Sequence, residues 1–287
     1  MADPRKLVPE NVPGDFFVDT TCIDCDTCRQ LAPEVFGETD EFSFVQAQPA
    51  GPDQTRRALH ALVCCPTGSI GTRGSNRAAE VLDDFPLLLE DDVYYSGFNS
   101  PKSFGGNSYF IRRPDGNWLI DSPKFLPRLV KRLEDWGGVS RIFLTHSDDV
   151  ADAERFAEHF GAKRIIHRAE LHSQPGAEIV IECFEPVSMG EDFRAIPTPG
   201  HTAGHCVLLY RDKFLFTGDH LWWVRGEDRL GASRSYCWYS WPEQIRSMER
   251  LLEYRFEWVL PGHGQRVKLP AEEMKTKLRE LVERMRQ

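Results

Sequence analysis

The chain has 287 residues, of which 41% are hydrophobic, and a formal net charge of −9. That apolar content can fill a core and excludes a disordered chain. The dispersed acidic excess argues against nucleic acid or an anionic membrane as the main partner. No apolar run approaches the ~20 residues of a membrane span. The opening MADPRKLVPENVPGDF has no apolar signal core, so the expected location is cytoplasmic.

The eight cysteines of such a chain read as metal ligands or free thiols rather than disulfides. Five precede residue 70, whereas Cys183, Cys206 and Cys237 are scattered. Residues 1–72 are rich in cysteine, proline and acidic side chains, and the run 71–76, Gly-Thr-Arg-Gly-Ser-Asn, reads as a linker or turn. It separates an expected N-terminal domain, 1–75, from a larger one, 85–287. Residues 108–111 and 118–120 are expected strands around a turn at 113–117. Leu126, Leu129, Val130 and Leu133 predict a helix over 124–136. A strand at 141–144, a helix at 151–160 and a strand at 164–166 follow, an alternation that argues for layered helices and sheets. Two more strands, 207–210 and 213–216, flank Arg211-Asp212, and 241–254 and 271–286 read as amphipathic helices. Ser240 is the expected N-cap of the first, with Gln244 near a capping-box position.

Cys22-Ile-Asp-Cys25-Asp-Thr-Cys28 places three thiolates in one short loop that can curl around a compact inorganic core. The nearby slot for a fourth ligand is Ala32, so the fourth is assigned to Cys65 in Val63-Cys64-Cys65-Pro66-Thr67-Gly68, with Cys64 a packed neighbour. The pattern resembles the single-cluster bacterial ferredoxins, in which a three-cysteine loop is completed by a distant Cys-Pro. The resemblance implies one [4Fe–4S] cluster on Cys22, Cys25, Cys28 and Cys65. A zinc site on the same thiolates is the alternative.

In the larger segment, polar motifs sit at the ends of apolar strands: Thr145-His146-Ser147-Asp148-Asp149, Pro199-Gly200-His201, Thr217-Gly218-Asp219-His220 and Pro261-Gly262-His263. Imidazoles and carboxylates gathered there suit a metal ion. The set resembles the metallo-β-lactamase superfamily of hydrolases and oxidoreductases over about residues 85–265, and Asn107-Ser-Tyr-Phe-Ile and Leu119-Ile-Asp121-Ser are similar to its opening strands. The resemblance implies an α+β chain: a small ferredoxin-like domain, then an αββα four-layer sandwich. The usual first motif, His-x-His-x-Asp-His, is altered. Asp148 stands where the second histidine belongs, and Val150 and Ala151 stand where the Asp-His pair belongs. Two ligands of the family's second metal position are thereby lost, leaving Asp219 and His263. The implied metal residues are His146, His201, Asp219 and His263, with Asp148 as replacement ligand. Asp148 and Asp219 are the candidate catalytic carboxylates. Asp149 and Asp152 lie near this set, and Asp152 reads as stabilising a helix N-terminus. His205 and His220 read as supporting or substrate-contacting.

Two imidazoles and one or two carboxylates can hold one Fe(II) or Zn(II), and persulfide dioxygenases of this superfamily similarly bind one iron through two histidines and an aspartate. Three functions stay open. One is a redox enzyme whose mononuclear metal exchanges electrons with the cluster, served by a reductant or redox partner protein and acting on a small molecule. A second is a metal-dependent hydrolase of an ester, thioester or phosphoester, with Asp148 as general base and the cluster structural or regulatory. The third is an electron carrier or sensor whose second site is empty. The aromatic run 235–242 and Trp222-Trp223 are expected to pack a covering insertion or against the ferredoxin-like part, or else to wall a substrate pocket. Arg225 or Arg234 is a candidate for meeting an anion.

Overall fold

The structure is a computed structural model that describes residues 2–74 and 77–287. Its larger part is built on two sheets. The seven-stranded sheet runs, in spatial order, Ile179–Ile181, Lys163–His167, Arg141–Phe143, Trp118–Ile120, Tyr109–Ile111, Val93–Tyr95, Leu87–Glu90. The six-stranded sheet runs Val187–Ser188, Phe193–Pro197, Cys206–Tyr210, Phe214–Gly218, Trp258–Pro261, Val267–Lys268.

The alternation of side chains along a strand explains how these sheets stack. Cys206, Leu208 and Tyr210 face the core between the sheets, where Phe214, Phe216 and Leu260 join them. Val207, Leu209 and Leu215 face the opposite way, onto Met248 and Leu251 of helix Trp241–Leu251 and Leu278 and Leu281 of helix Ala271–Met285. Trp118 of one sheet stacks on Phe193 of the other with ring centroids 4.0 Å apart. Helices Pro127–Asp135 and Ala153–Phe160 supply Leu129, Leu133 and Phe156 to the first sheet. The result is the expected α+β, αββα sandwich.

The N-terminal part has its own core around Phe16, Val35, Phe36, Val45 and Leu59. Strand Phe16–Val18 pairs antiparallel with Ile70–Thr72, and Phe36–Glu38 pairs with Ser43–Val45. Helices Thr27–Leu31 and Pro52–Cys64 complete it. Gly71 and Thr72, read as linker, are thus ladder residues, because Phe16–Val18 supplies the hydrogen-bonding partner that sequence spacing cannot reveal. Ser75 and Asn76 of that run lie outside the described residues.

Two further expectations shift. The helix placed over 124–136 begins at Pro127, since Lys124 and Phe125 turn toward other partners. Asp152 is the N-cap residue of Ala153–Phe160, but its side chain makes no cap hydrogen bond. It accepts instead from Lys102 Nζ at 2.6 Å and Phe125 N at 2.9 Å. Ser240 does cap its helix, accepting from Glu243 N, while Gln244 donates to the His220 carbonyl.

The two parts meet on buried polar contacts. Asn99 Nδ2 donates to the Gly105 carbonyl at 2.7 Å and approaches Thr27 Oγ1 at 3.3 Å, and Asn99 Oδ1 accepts from Tyr95 at 2.5 Å. Asn107 donates to Gln30 Oε1, and Asn107 N to the Gly262 carbonyl. Asn99 is 1% exposed. Asn99→Ala is therefore expected to strand these groups at about 1–3 kcal/mol each, read as a lower midpoint in chemical denaturation. An unchanged midpoint would contradict this account of the joint.

Candidate functional site

Cys22, Cys25, Cys28 and Cys65 line one pocket together with Thr27, Ser43, Pro66 and Ser69. The loop that brings the first three together bends through left-handed backbone at Asp24 and Asp26, a conformation aspartate tolerates better than most residues. Arg29, 4% exposed, fastens it: its guanidinium meets Asp24 at 2.6 Å and Asp26 at 2.8 Å. Cys65 enters from the C-terminal end of helix Pro52–Cys64. Backbone amides already point at the sulfurs, Ser69 N to Cys65 Sγ at 3.2 Å and Asp24 N to Cys22 Sγ at 3.4 Å. Burial pushes the Cys25 thiol up to about 11 and the Cys28 thiol higher still. Four sulfurs lining one pocket, with amides aimed at two of them, fit a bound iron–sulfur core. Cys64 lies apart, fully buried in the sandwich core near Tyr95 and Phe98.

The second centre sits where strands of both sheets end. His146 Nε2 lies 3.7 Å from Asp219 Oδ2, and His201 Nε2 lies 3.7 Å from Asp148 Oδ2 and 3.8 Å from Asp219 Oδ2. An ion ~2.0–2.2 Å from each donor spans pairs up to about 4.2 Å apart, so these spacings suit one metal. Both Nε2 atoms are buried and have no hydrogen-bond partner among the described residues, which a metal would satisfy. The opposite nitrogens are fixed. The Tyr236 carbonyl accepts from His201 Nδ1 at 2.5 Å, and Thr145 Oγ1 lies 2.9 Å from His146 Nδ1. Asp121 accepts the Thr145 hydroxyl and its amide, so Thr145 takes the His146 Nδ1 proton. Both imidazoles therefore turn a lone pair toward the centre.

The electrostatics match. Burial holds His146 down at about 4, against the pull of Asp219. Burial also pushes the Asp219 carboxyl upward, but His263, His146 and His201 outweigh it and keep the group ionised. The neighbouring imidazoles of His201 and His146 hold Asp148 below the usual carboxylate range, against its burial. Asp148 is the most exposed of the four, at 51% of its side chain, and forms the mouth.

His263 stands beside this set and not in it. Asp219 Oδ1 faces its Nδ1 at 2.8 Å and the Ser103 carbonyl accepts from its Nε2 at 3.1 Å, so neither nitrogen turns toward the centre. Burial opposes its charge, yet Asp219 and Asp149 raise it to about 10. Asp149 is buried with neither oxygen hydrogen-bonded among the described residues, and a carboxylate oxygen of it lies within 4.8 Å of ligand atoms of His146 and Asp219, so these three could also hold a metal. Burial and the Asp219 charge push its carboxyl well up. Only the tertiary approach of Gly106 and Gly262 makes this position visible. His205 and His220 are fully buried and stack at 5.2 Å; burial keeps both neutral.

The aromatic run is split, with Trp241 packed against the core beneath the six-stranded sheet and the aromatic residues before it exposed. Tyr236, Trp238 and Tyr239 are 64%, 62% and 57% exposed, because their backbone is fastened to the metal-ligand loop: Trp238 N and Tyr239 N both donate to the His201 carbonyl. Arg225 pairs with Asp26 of the cysteine loop at 3.0 Å.

One backbone crossing joins the centres. A Cβ on Gly105 would lie 2.9 Å from Cys25 Sγ, and a Cβ on Gly106 would lie 2.6 Å from Asp149 Oδ1. With the ~3.8 Å step between neighbouring Cα atoms, Cys25 Sγ and Asp149 Oδ1 are no more than about 12 Å apart.

Residues 87–282 match the metallo-beta-lactamase superfamily. The chain belongs to that superfamily. Residues 18–72 of this metallo-β-lactamase-fold protein match the 4Fe-4S single cluster domain of Ferredoxin I. Curated relatives include a hydroxyacylglutathione hydrolase from Acidiphilium cryptum, 32% identical over 136 residues, covering 46% of this chain and 49% of that protein. The thioesterase pkgB of Emericella nidulans is 28% identical over 153 residues, covering 47% and 44%. The chain spans about half the length of the curated relatives it matches. Among solved structures, a metallo-beta-lactamase from Pontibacter korlensis superposes with a TM-score of 0.52 at 16% identity, covering 69% of this chain and 97% of that one. A metallo-beta-lactamase family protein from Thermus thermophilus does so at 0.50 and 18%, covering 69% and 81%. These establish the fold.

For a metal ion on His146 Nε2, Thr145→Val removes the hydroxyl that orients the ring and leaves Asp121 only the residue-145 amide of the two donors. Affinity for that metal is expected to fall ~10–100-fold, measured by chelator competition. Unchanged affinity would contradict the orienting role of Thr145.

Proposed function

We propose that the protein is a two-centre redox enzyme. Residues 1–75 carry a [4Fe–4S] cluster on Cys22, Cys25, Cys28 and Cys65. Residues 85–287 hold one Fe(II) through His146, His201, Asp148 and Asp219. The single observation that carries this reading is the crossing at Gly105 and Gly106, which brings a cluster cysteine to within about 12 Å of the carboxylate behind the second centre. Electrons tunnel over such a distance without a further carrier.

A bound Fe(II) supplies one-electron chemistry and open positions for a substrate. The chain's residues do the rest. Thr145 and the Tyr236 carbonyl fix the two imidazoles. His263 balances the charge of Asp219 from the side away from the mouth. Asp148, ionised and half exposed, meets whatever enters and can take its proton. The exposed Trp238, its ring 6.1 Å from that of His201, gives an entering small molecule an apolar wall. Electrons arrive from an external reductant or redox protein.

The curated relatives favour a second reading, a hydrolase. Zn(II) on the same residues supplies Lewis acidity toward a thioester or ester carbonyl, with Asp148 as general base and the cluster structural or regulatory.

Anaerobic purification followed by iron, zinc and acid-labile sulfide analysis separates the two. About five irons and four sulfides per chain is the expected result for a four-iron cluster plus one iron. Four irons and one zinc would support the hydrolase, and four irons alone would overturn both. His201→Ala should remove the extra metal and keep the brown colour, while Cys65→Ser should abolish the colour. Survival of the colour in Cys65→Ser would refute the fourth ligand.

A further inference from the structure

Lys124 belongs to the metal-site part of the chain, three positions beyond Asp121, yet its side chain reaches the cysteine pocket. Its Nζ donates to the Pro66 carbonyl at 2.7 Å, and Pro66 directly follows Cys65 and lines the same pocket. The backbone of Lys124 is tied down as well, its amide donating to the Phe98 carbonyl at 2.9 Å. The ammonium is about half buried, where a charge acts over a lower effective dielectric than at the surface.

The groups facing Lys124 decide what its charge does. Through Pro66 the lysine adjoins the pocket that Cys25 and Cys65 line, and Cys65, Cys64, Asp152 and Cys25 act on its charge electrostatically. Asp152 is already engaged by Lys102 at 2.6 Å and by Phe125 N at 2.9 Å. Cys64 is kept a neutral thiol by burial. What remains is Cys25 and Cys65, two of the four cluster cysteines. We propose that Lys124 is a potential-setting cation, supplied by the metallo-β-lactamase-fold part of the chain to the iron–sulfur cluster of the other part.

The physical basis is simple. One electron from an external one-electron donor enters the iron–sulfur core, reducing iron from the ferric toward the ferrous level. No bond is broken and no proton is needed. The step adds one negative charge to a unit that four thiolates already make anionic, so a nearby fixed cation stabilises the reduced form more than the oxidised one. Net charge and hydrogen bonding around the sulfurs are the terms that set such potentials. Lys124 acts through the first, and its hydrogen bond to the Pro66 carbonyl fixes where that charge sits beside the Cys65-Pro66 turn. It is a positioning and tuning residue, and it touches no substrate.

The geometry also links the two centres by a second route. Asp121 accepts from Thr145, Thr145 orients His146, and Ser122 N donates to the Asp149 carbonyl at 3.3 Å. The short segment 121–124 therefore contacts the second centre at one end and the cluster pocket at the other. The inference rests on the four-cysteine cluster and not on the mononuclear metal. A wild-type protein without the brown chromophore would sink the cluster reading; a variant with an unshifted potential would sink this one.

The test is an anaerobic dithionite titration of the full-length, cluster-loaded protein, with the reduced cluster followed by EPR. Lys124→Gln removes the charge while keeping a donor for the Pro66 carbonyl, and Lys124→Met removes both. Both are expected to move the midpoint to more negative potential, and Lys124→Arg to stay near wild type. If Lys124→Met does not retain its cluster, Lys124→Gln against Lys124→Arg decides the question. An unmoved or more positive midpoint in Lys124→Gln would overturn the proposal, since a purely structural lysine would change stability and leave the potential alone.

Discussion

Between Cys25 and Asp149 there is room for backbone and nothing more. Gly105 and Gly106 fill that space, each set so closely against its neighbour that a methyl group would overlap it. Gly105 also needs the left-handed backbone it adopts. The rest of the molecule is arranged around this crossing. Ser103 just before it receives His263, Asn107 just after it bonds to Gly262, and Asn99 grips the Gly105 carbonyl. The cysteine loop, the 100–107 segment and the strand-end loops of the sandwich are thus stacked in contact.

That arrangement changes what the altered first motif means. Val150 and Ala151 cannot bind a metal, but the second position of the family is not left as a gap. His263 occupies its neighbourhood as an imidazolium between Asp219 and the Ser103 carbonyl, and Asp149 lies buried beside Asp219, near Gly262. A protein cation there does for Asp219 what a second ion does in a two-metal site, at the cost of a fixed charge. The first position keeps two oriented imidazoles and gains Asp148. Around His146 the structure offers two donor groups, one with Asp148 and His201 and one with Asp149 and Asp219, and the Asp219–His263 pair borders the second.

Much of this is legible in the sequence because it is local. The Cys22-x-x-Cys25-x-x-Cys28 spacing and the Cys65-Pro66 pair announce the ferredoxin-like part. The apolar runs before Thr145, Thr198, Thr217 and Pro261 announce strands that end in polar residues. Strand–helix alternation argues for layered helices and sheets, the family resemblance implies the αββα order, and the alternating Cys206–Tyr210 side chains carry it out. What escapes depends on contacts between distant segments. Asp149 sits one residue from the expected ligand Asp148, yet its burial comes from Gly106 and Gly262. Lys124 lies inside an amphipathic pattern that reads as helix, and only the position of Pro66 shows why it turns away. The aromatic run 235–242 reads as packed. Trp241 does pack, but Tyr236, Trp238 and Tyr239 are exposed, and the Trp238 and Tyr239 backbone, not their side chains, holds that stretch to His201.

The central claim is that electrons pass between the two centres. It is tested most directly by reducing the cluster and following its EPR signal by freeze-quench after exposure to O2, in protein with iron in the second centre and in the same protein carrying His201→Ala. The account predicts that the reduced cluster is reoxidised markedly faster when the second centre holds iron. Equal rates in the two proteins would contradict it.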